Sequence, residues 1–515
     1  MALVASNRDL EATWAYHNGT KHSFQSIRSS RHFLDWQNQP LPFKVYPAPE
    51  PIPLPRLEPS GAPALAALSA SDSEPLGEGV PGLELLGRVL YYSAGITKRI
   101  RSPQGEMSFR AASCTGALYH IDLYLVCGDL PDLEAGVYHF GVHDFALRRL
   151  RRGDFREELV KATAAEPAVA QAPAILACSS TFWRNAWKYQ ARTYRHCFWD
   201  SGTILANLLA VAAGHRLPAR VVCGFVDNQV NRLLGLDPQR QVALVLVPLG
   251  RSPDRIGRAP AVEPLELETM PLSPSEADYP AIRAMHEASS LTGEAEVAAW
   301  RGPGPPTSLP LPSGRLVALQ PASAEDAPQD SIEAVILRRG SSRRFAPEPL
   351  TLAQLSTILH RAVRGIPADF LEPAGASLND LYLIVNAVES LPSGAYVFHR
   401  DKQALELLRE GEFRDEAGYL GMEQALPADA SVDVFFLAEL QPILERFGNR
   451  GYRAAQIEAG IIGGRLYLAA YALGLGASGL TFYDDEVTDF FSPHASGKSV
   501  MFLVALGHPA KRRIA

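Results

Sequence analysis

Short apolar runs bounded by turn residues recur along the chain and predict strands: DLYLV at 122–126, AILAC at 174–178, VALVLVPLG at 242–250, DLYLIV at 380–385, VDVFFLAEL at 432–440 and SVMFLVALG at 499–507. Stretches with apolar positions three and four apart, LELLGRVLYYSAG at 83–95 and LAQLSTILHRAVRG at 352–365, predict amphipathic helices. The longest apolar run, GTILANLLAVAAG at 202–214, is shorter than the ~20 residues a membrane span needs and predicts a buried helix. Each half reads helix, strand, strand, helix, strand, long apolar helix, strand. That mixture predicts an α+β domain with helices on a mixed, mostly antiparallel sheet.

The pattern occurs twice. Residues 122–158 lie on 380–416 without a gap, with 16 of 37 positions identical. Gly136, Tyr138 and Phe140 fall on Gly394, Tyr396 and Phe398, and Tyr194-Arg195 falls on Tyr452-Arg453. Further upstream, His17 and Thr20 resemble His286 and Ser289. A repeat this long is a duplicated domain rather than a solenoid unit. The expected division is a first domain over 1–250 with an extended N-terminal arm, a Pro-rich linker over 251–278, and a second domain over 279–515. Prolines at 40–55 favour an extended conformation able to wrap a neighbour.

Composition narrows the function. Apolar residues are 47% and charged residues 20% of 515, as in a soluble globular protein. A net charge of −7 gives no general attraction to nucleic acid or anionic lipid, so neither is an expected partner. The five cysteines form no C-x-x-C, which argues against a disulfide framework or a metal site and fits a cytoplasmic location.

Four segments could carry chemistry. Arg338-Arg-Gly-Ser-Ser-Arg-Arg-Phe345 closes a predicted helix, and its guanidinium groups and hydroxyls suit a phosphate monoester; a solvated basic helix cap is the other reading. Gly474-Leu-Gly-Ala-Ser-Gly479 matches G-x-G-x-x-G, but it follows a helix and precedes an extended run, opposite to a dinucleotide fingerprint. It reads as helix-capping glycines, or as a loop whose bare backbone offers N–H groups to a flat ring. The basic end with Lys511, Arg512 and Arg513 reads as a tail or a second phosphate clamp. In Trp187-Lys-Tyr-Gln-Ala-Arg-Thr-Tyr-Arg195, Lys188 and Tyr189 could donate or accept protons, whereas the second copy carries Arg446 and Phe447 at the matched positions.

Together these residues resemble the FMN-dependent nitroreductase superfamily, in particular its SagB/ThcOx-type dehydrogenases, which oxidise azolines in modified peptides. The resemblance implies tandem nitroreductase-like domains pairing as an intramolecular pseudo-dimer with FMN at the seam. It assigns Arg339, Ser341 and Arg343 to the flavin phosphate, joined by Lys511, Arg512 or Arg513. It assigns Gly476, Ser478, Gly479 and Leu480 to the reactive flavin edge. The segment Ser113-Cys-Thr-Gly-Ala-Leu-Tyr119 resembles the family's S-x-G-A-L-Y, so Ser113, Thr115, Gly116 and Ala117 would cover the ring. Lys188 and Tyr189 would be catalytic. Asn207 fits an E-A-G…N helix in which Asp200 replaces the glutamate.

The first copy has no arginine over 65–79, where a phosphate grip would align, and Ser29-Ser-Arg-His-Phe33 lies out of register. The second copy has lost Lys-Tyr and G-A-L-Y. Each half keeps what the other lost, which implies one FMN per chain. The implied activity is a flavin-dependent dehydrogenase or oxidase acting on a small molecule or modified peptide, with partner proteins of a peptide-modifying complex. An NAD(P)H-dependent nitro or quinone reductase and a non-enzymatic flavin-binding or scaffold subunit are the alternatives.

Overall fold

The computed structural model describes residues 7–69, 79–102, 105–305, 309–373 and 375–510. Two sheets carry the two copies. The first holds strands in the order Pro51–Pro53, Ala146–Arg152, Gly136–Gly141, Ile121–Cys127, Ala174–Thr181, Gln241–Leu249. The second repeats that order with Arg315–Ala318, Ala404–Glu410, Gly394–His399, Asp380–Val385, Val432–Ala438 and Ser499–Pro509, and adds Phe345–Ala346 and Gly476–Gly479 on its last strand. All strand pairs are antiparallel. This is the expected α+β fold, in tandem.

Each copy holds elements that the expected order lacks, among them a third meander strand. Ala146–Arg152 and Ala404–Glu410 form a third strand of the meander. The sequence ALRRLRR hides its alternation behind four arginines.

The halves meet along two long helices, Thr193–Gly214 and Arg450–Ala472. Both are buried nearly throughout, because each lies against its own sheet and against the other helix. They cross where Gly202 faces Gly460: a Cβ on either would strike the other backbone, so only glycine permits this approach. The apolar stretch Phe182–Gly214 is long enough to cross a membrane, but 89% of its most apolar window is buried inside the protein.

Paired charges lock the crossing from both sides. Arg192 and Arg195 reach Asp484 at 2.9 and 2.6 Å, and Arg450 and Arg453 reach Asp227 at 2.6 and 2.7 Å. Arg195 also donates to the His17 carbonyl at 2.7 Å and the Thr20 hydroxyl at 3.1 Å. Arg453 does the same to the His286 carbonyl at 2.7 Å and the Ser289 hydroxyl at 2.9 Å. The resemblance of His17 and Thr20 to His286 and Ser289 is thereby a structural equivalence.

The proline-rich arm lies along the first sheet. Ile52 pairs with Leu147, and Val45 and Leu41 exchange backbone bonds with Met270 and Leu272 from the stretch between the copies.

Candidate active site at the seam

The loop after the helix Ile332–Arg338 crosses to the first copy. Arg339 donates from Nε to the Ala111 carbonyl at 2.9 Å and from Nη2 to the Arg110 carbonyl at 3.2 Å. Its guanidinium lies 5.8 Å from the Tyr467 ring centre. The Tyr467 hydroxyl meets the Ser341 hydroxyl at 3.2 Å and accepts from the Gly479 N–H. Arg339, Ser341 and Gly479 therefore share one small cluster, and it touches the segment that leads into Ser113. Arg343 is exposed, with no hydrogen bond or ion pair among the described residues. The neighbouring Ser342 hydroxyl is buried and unpartnered. Lys511, Arg512 and Arg513 lie outside the described residues.

The Gly474 segment is not the loop the sequence suggested. Gly474 has φ +74° and caps the long helix, with Leu475 N–H returning to the Ala470 carbonyl at 2.9 Å. Gly476–Gly479 then forms a strand on Ser499–Pro509. Leu480 N–H is spent on the Leu503 carbonyl and Gly479 N–H on Tyr467. Ser478 is buried in that strand. The short run GASG pairs with residues 504–507 of the last strand, a partner that a glycine count does not reveal.

The first copy supplies the other wall. Asp200, on the long helix, accepts from Thr115 N–H at 2.9 Å, Thr115 Oγ1 at 2.9 Å and the Cys114 thiol at 3.0 Å. His120 approaches the same carboxylate at 2.9 Å. This network fixes the turn at Gly116, whose φ is +62°. A Cβ there would lie 2.7 Å from the Tyr189 hydroxyl, so glycine lets Tyr189 close on the turn. The hydroxyl of Thr203 holds the Ser113 carbonyl at 2.7 Å, and Asn207 holds the Tyr92 and Ala111 carbonyls. Ala111 thus receives both Asn207 and Arg339. Cys114, His120 and Asp200 could in principle hold a metal ion, their ligand atoms lying within 4.8 Å of one another.

Burial, then Asp200 and Cys114, push the Tyr189 phenol well above its ordinary value, so it keeps its proton at neutral pH. Lys188 is half-buried with its ammonium 5.2 Å from the Tyr189 ring centre. Burial first, and then the Asp200 charge, also hold the Cys114 thiol protonated.

The sequence named Asp200 only as a departure from a motif; its service to the 113–119 turn went unread. The signal was present in the second copy. There Glu458, at the matched helix position, accepts from Leu378 N–H at 2.8 Å and from Asn379 at 2.7 Å. Each helix carries a carboxylate that anchors the segment leading into its own copy's strand Ile121–Cys127 or Asp380–Val385.

The nitroreductase family model matches residues 132–251 and 336–508, together more than half of the chain. The fold, with its paired copies, defines an oxidoreductase of the nitroreductase class. A crystal structure of an Anabaena variabilis ATCC 29413 protein named for the nitroreductases superposes with a TM-score of 0.78 at 26% identity, covering 97% of this chain and 99% of its own. The nitroreductase-named protein MJ1384 of Methanocaldococcus jannaschii is 28% identical over 171 residues, 32% of this chain and 85% of its own. This chain belongs to the nitroreductase family.

Proposed function

We propose that the protein is an FMN-dependent oxidoreductase with one flavin per chain, held at the seam where Arg339 meets the first copy. The observation that carries this is the Arg339 crossing to Ala111 and Arg110, which sets the arginine loop of one copy beside the ring-covering turn of the other. The residues present suit such a group. Arg343 has an open guanidinium, and the buried Ser342 hydroxyl lacks a partner among protein atoms. Arg339 has spent much of its donor capacity on the seam, so phosphate recognition falls chiefly to Arg343 and Ser341, with Lys511, Arg512 or Arg513 as further clamps. Ser113, Thr115, Gly116 and Ala117 would cover the ring; the Gly476–Gly479 strand would back it by shape alone, since the Gly479 and Leu480 N–H groups are already bonded within the protein. When bound, FMN supplies two-electron transfer.

The chain's own residues supply position and protons. Asp200 holds the Gly116 turn in place. Tyr189 keeps its proton and aims its hydroxyl at that turn, so it serves as a donor. Lys188 is the remaining group beside it, and we assign it the substrate proton. The proposed domains are 1–250 and 279–515, joined by 251–278.

The activity we favour is a dehydrogenase or oxidase in the cytoplasm, on the SagB/ThcOx-like signature Lys188-Tyr189 with Ser113 to Tyr119, acting on an azoline-type ring of a modified peptide. The relatives named for nitroreductases favour a second reading, NAD(P)H-dependent nitro or quinone reduction. An absorption spectrum with a flavin-to-protein ratio tests the cofactor: a ratio near one is expected, and colourless protein that refuses added FMN rejects the proposal. Steady NAD(P)H consumption with a nitroaromatic selects the second reading.

A further inference from the structure

Asp200 gathers more groups than its turn needs. Its Oδ1 accepts from the Thr115 N–H and hydroxyl, both at 2.9 Å, and the N–H also reaches Oδ2 at 3.1 Å. Its Oδ2 draws in the Cys114 thiol at 3.0 Å and His120 Nε2 at 2.9 Å. One oxygen anchors the turn, and the other collects a sulfur and an imidazole nitrogen.

The second copy shows how little the anchoring requires. Glu458 holds the corresponding segment without thiol or imidazole, through Leu378 N–H at 2.8 Å and Asn379 at 2.7 Å. In the register that lays 122–158 on 380–416, Leu378 stands where the first copy has His120, and Ala438 stands where it has Ser180. All five cysteines lie in the first copy. Thiol, imidazole and the serine behind the imidazole are therefore dispensable to the fold, and they occur together only beside the shorter carboxylate.

Each of the three groups is also held from behind. His120 Nδ1 meets the Ser180 hydroxyl at 2.8 Å, Cys114 Sγ accepts from the Tyr119 N–H at 3.1 Å, and Thr115 fixes Asp200. Partners of this kind orient metal ligands and set the tautomer of an imidazole. The three ligand atoms lie within 4.8 Å of one another. A cavity of about 10 Å³ adjoins Cys114 and Asp200, walled further by Arg110, Ala112, Ile121 and Ile204. That is room for about one water. Arg110 is tied to the carbonyls of Pro42 at 2.6 Å and Ile121 at 3.2 Å.

We propose that Cys114, His120 and Asp200 form a binding site for a divalent transition-metal ion, zinc foremost, with a water in the adjoining cavity as fourth ligand. A set of one sulfur, one nitrogen and one oxygen suits zinc, whereas calcium and magnesium take oxygen ligands alone. Zinc bonds of about 2.0–2.3 Å ask the donors to part by roughly half an ångström from their hydrogen-bonded spacing. The ion displaces the thiol proton to solvent, and His120 keeps its other proton on the Ser180 side while coordinating through Nε2. Thiolate and carboxylate cancel the charge of the ion, so Arg110 faces a neutral centre. Zinc undergoes no redox step. The site is read by metal binding alone and does not rest on the flavin reading.

Titration of cobalt(II) into the untagged full chain, after dialysis against a chelator, tests it by absorption to the red of any flavin band. Cobalt should give the strong ligand-field bands of a tetrahedral thiolate site, saturating at a single equivalent, and zinc should bleach them. Cys114→Ser, a near-isosteric change, should remove the sulfur-to-metal band and weaken binding by about 100-fold, as should His120→Leu, which installs the second copy's residue. Ser180→Ala, again the second copy's residue, should weaken binding by about 10-fold through the loosened imidazole. Absence of tetrahedral bands would mean that the three groups are only hydrogen-bonded to one another. Bands that survive Cys114→Ser, or an affinity unaltered in Ser180→Ala, would place the ion elsewhere; each of these results overturns the proposal.

Discussion

The two copies agree where they hold each other and differ where they could do chemistry. The locks at Asp484 and Asp227 repeat arginine for arginine, down to the carbonyls of His17 and His286. Around the helix that precedes each lock, the copies part. The first has Lys188, Tyr189 and strained Gln190; the second has Arg446, Phe447 and relaxed Gly448. Arg446 is turned to structure, donating to the carbonyls of Pro303 at 2.9 Å and Arg301 at 2.6 Å. The lesson is that fusing the pair kept the symmetric contact under constraint while each copy's site was free to specialise.

The largest effects should come from the shared part. Asp484→Ala leaves Arg192 and Arg195 buried without their carboxylate, and Asp227→Ala does the same to Arg450 and Arg453. Each should cost about 3–5 kcal/mol in urea unfolding, because an uncompensated buried charge remains. Closely matched losses are expected; a variant that unfolds like the parent would show that its lock carries no load and that the symmetry is only geometric.

Next comes the divergent part. Lys188→Ala should lower turnover by about 10²-fold while flavin is retained. Arg446→Ala, its counterpart, should leave turnover within about twofold, since Arg446 serves only the backbone carbonyls of Pro303 and Arg301. Equal rates in the two variants would erase the asymmetry between the copies. A smaller effect is expected at the arginine loop. Arg343→Ala should weaken FMN retention by about 10-fold through loss of one charge-assisted hydrogen bond, read by dialysis and absorbance. Arg361→Ala, a second arginine of the later copy that reaches the earlier one, meeting the Ser69 hydroxyl at 2.6 Å, should leave retention unaltered.

Much of this was legible in the chain, and what was not has physical reasons. Duplication, sheet type and the arginine cluster stand in residue identities and spacing, and the long buried helix in composition. The locks were half visible: the arginines and their His and Thr or Ser partners matched between copies, but the aspartates did not announce themselves. Asp227 and Asp484 each open a short helix, where a carboxylate also reads as an ordinary helix-start residue. The third strand was hidden because its charged residues, four arginines in the first copy, make it look like a polar connection. The strain at Gln190 was invisible in principle, since glutamine carries no sequence mark of positive φ. Only its glycine counterpart, once superposed, exposes it.

The smallest expected effect asks whether the locks respond to acid together. Burial pushes the Asp227 carboxyl up, but Arg450 and Arg453 outweigh it and hold it at about 2. Burial likewise opposes ionisation of Asp484, and Arg192 and Arg195 carry it well below the usual carboxylate range. In the unfolded chain both titrate near ~3.9. A depressed folded value means that the unfolded state binds protons first, so the stabilisation is fully present above pH ~4 and is lost as pH falls toward 2 and below. Unfolding free energy measured between pH 5 and 2.5 should therefore fall with acid in the parent. Asp227→Asn should have a shallower slope over that range, and Asp484→Asn should be shallower still at the low end, because its carboxylate stays ionised longest. A slope unchanged by both substitutions would mean that other carboxylates govern acid unfolding, and that the two locks are not the grip on which the paired fold depends.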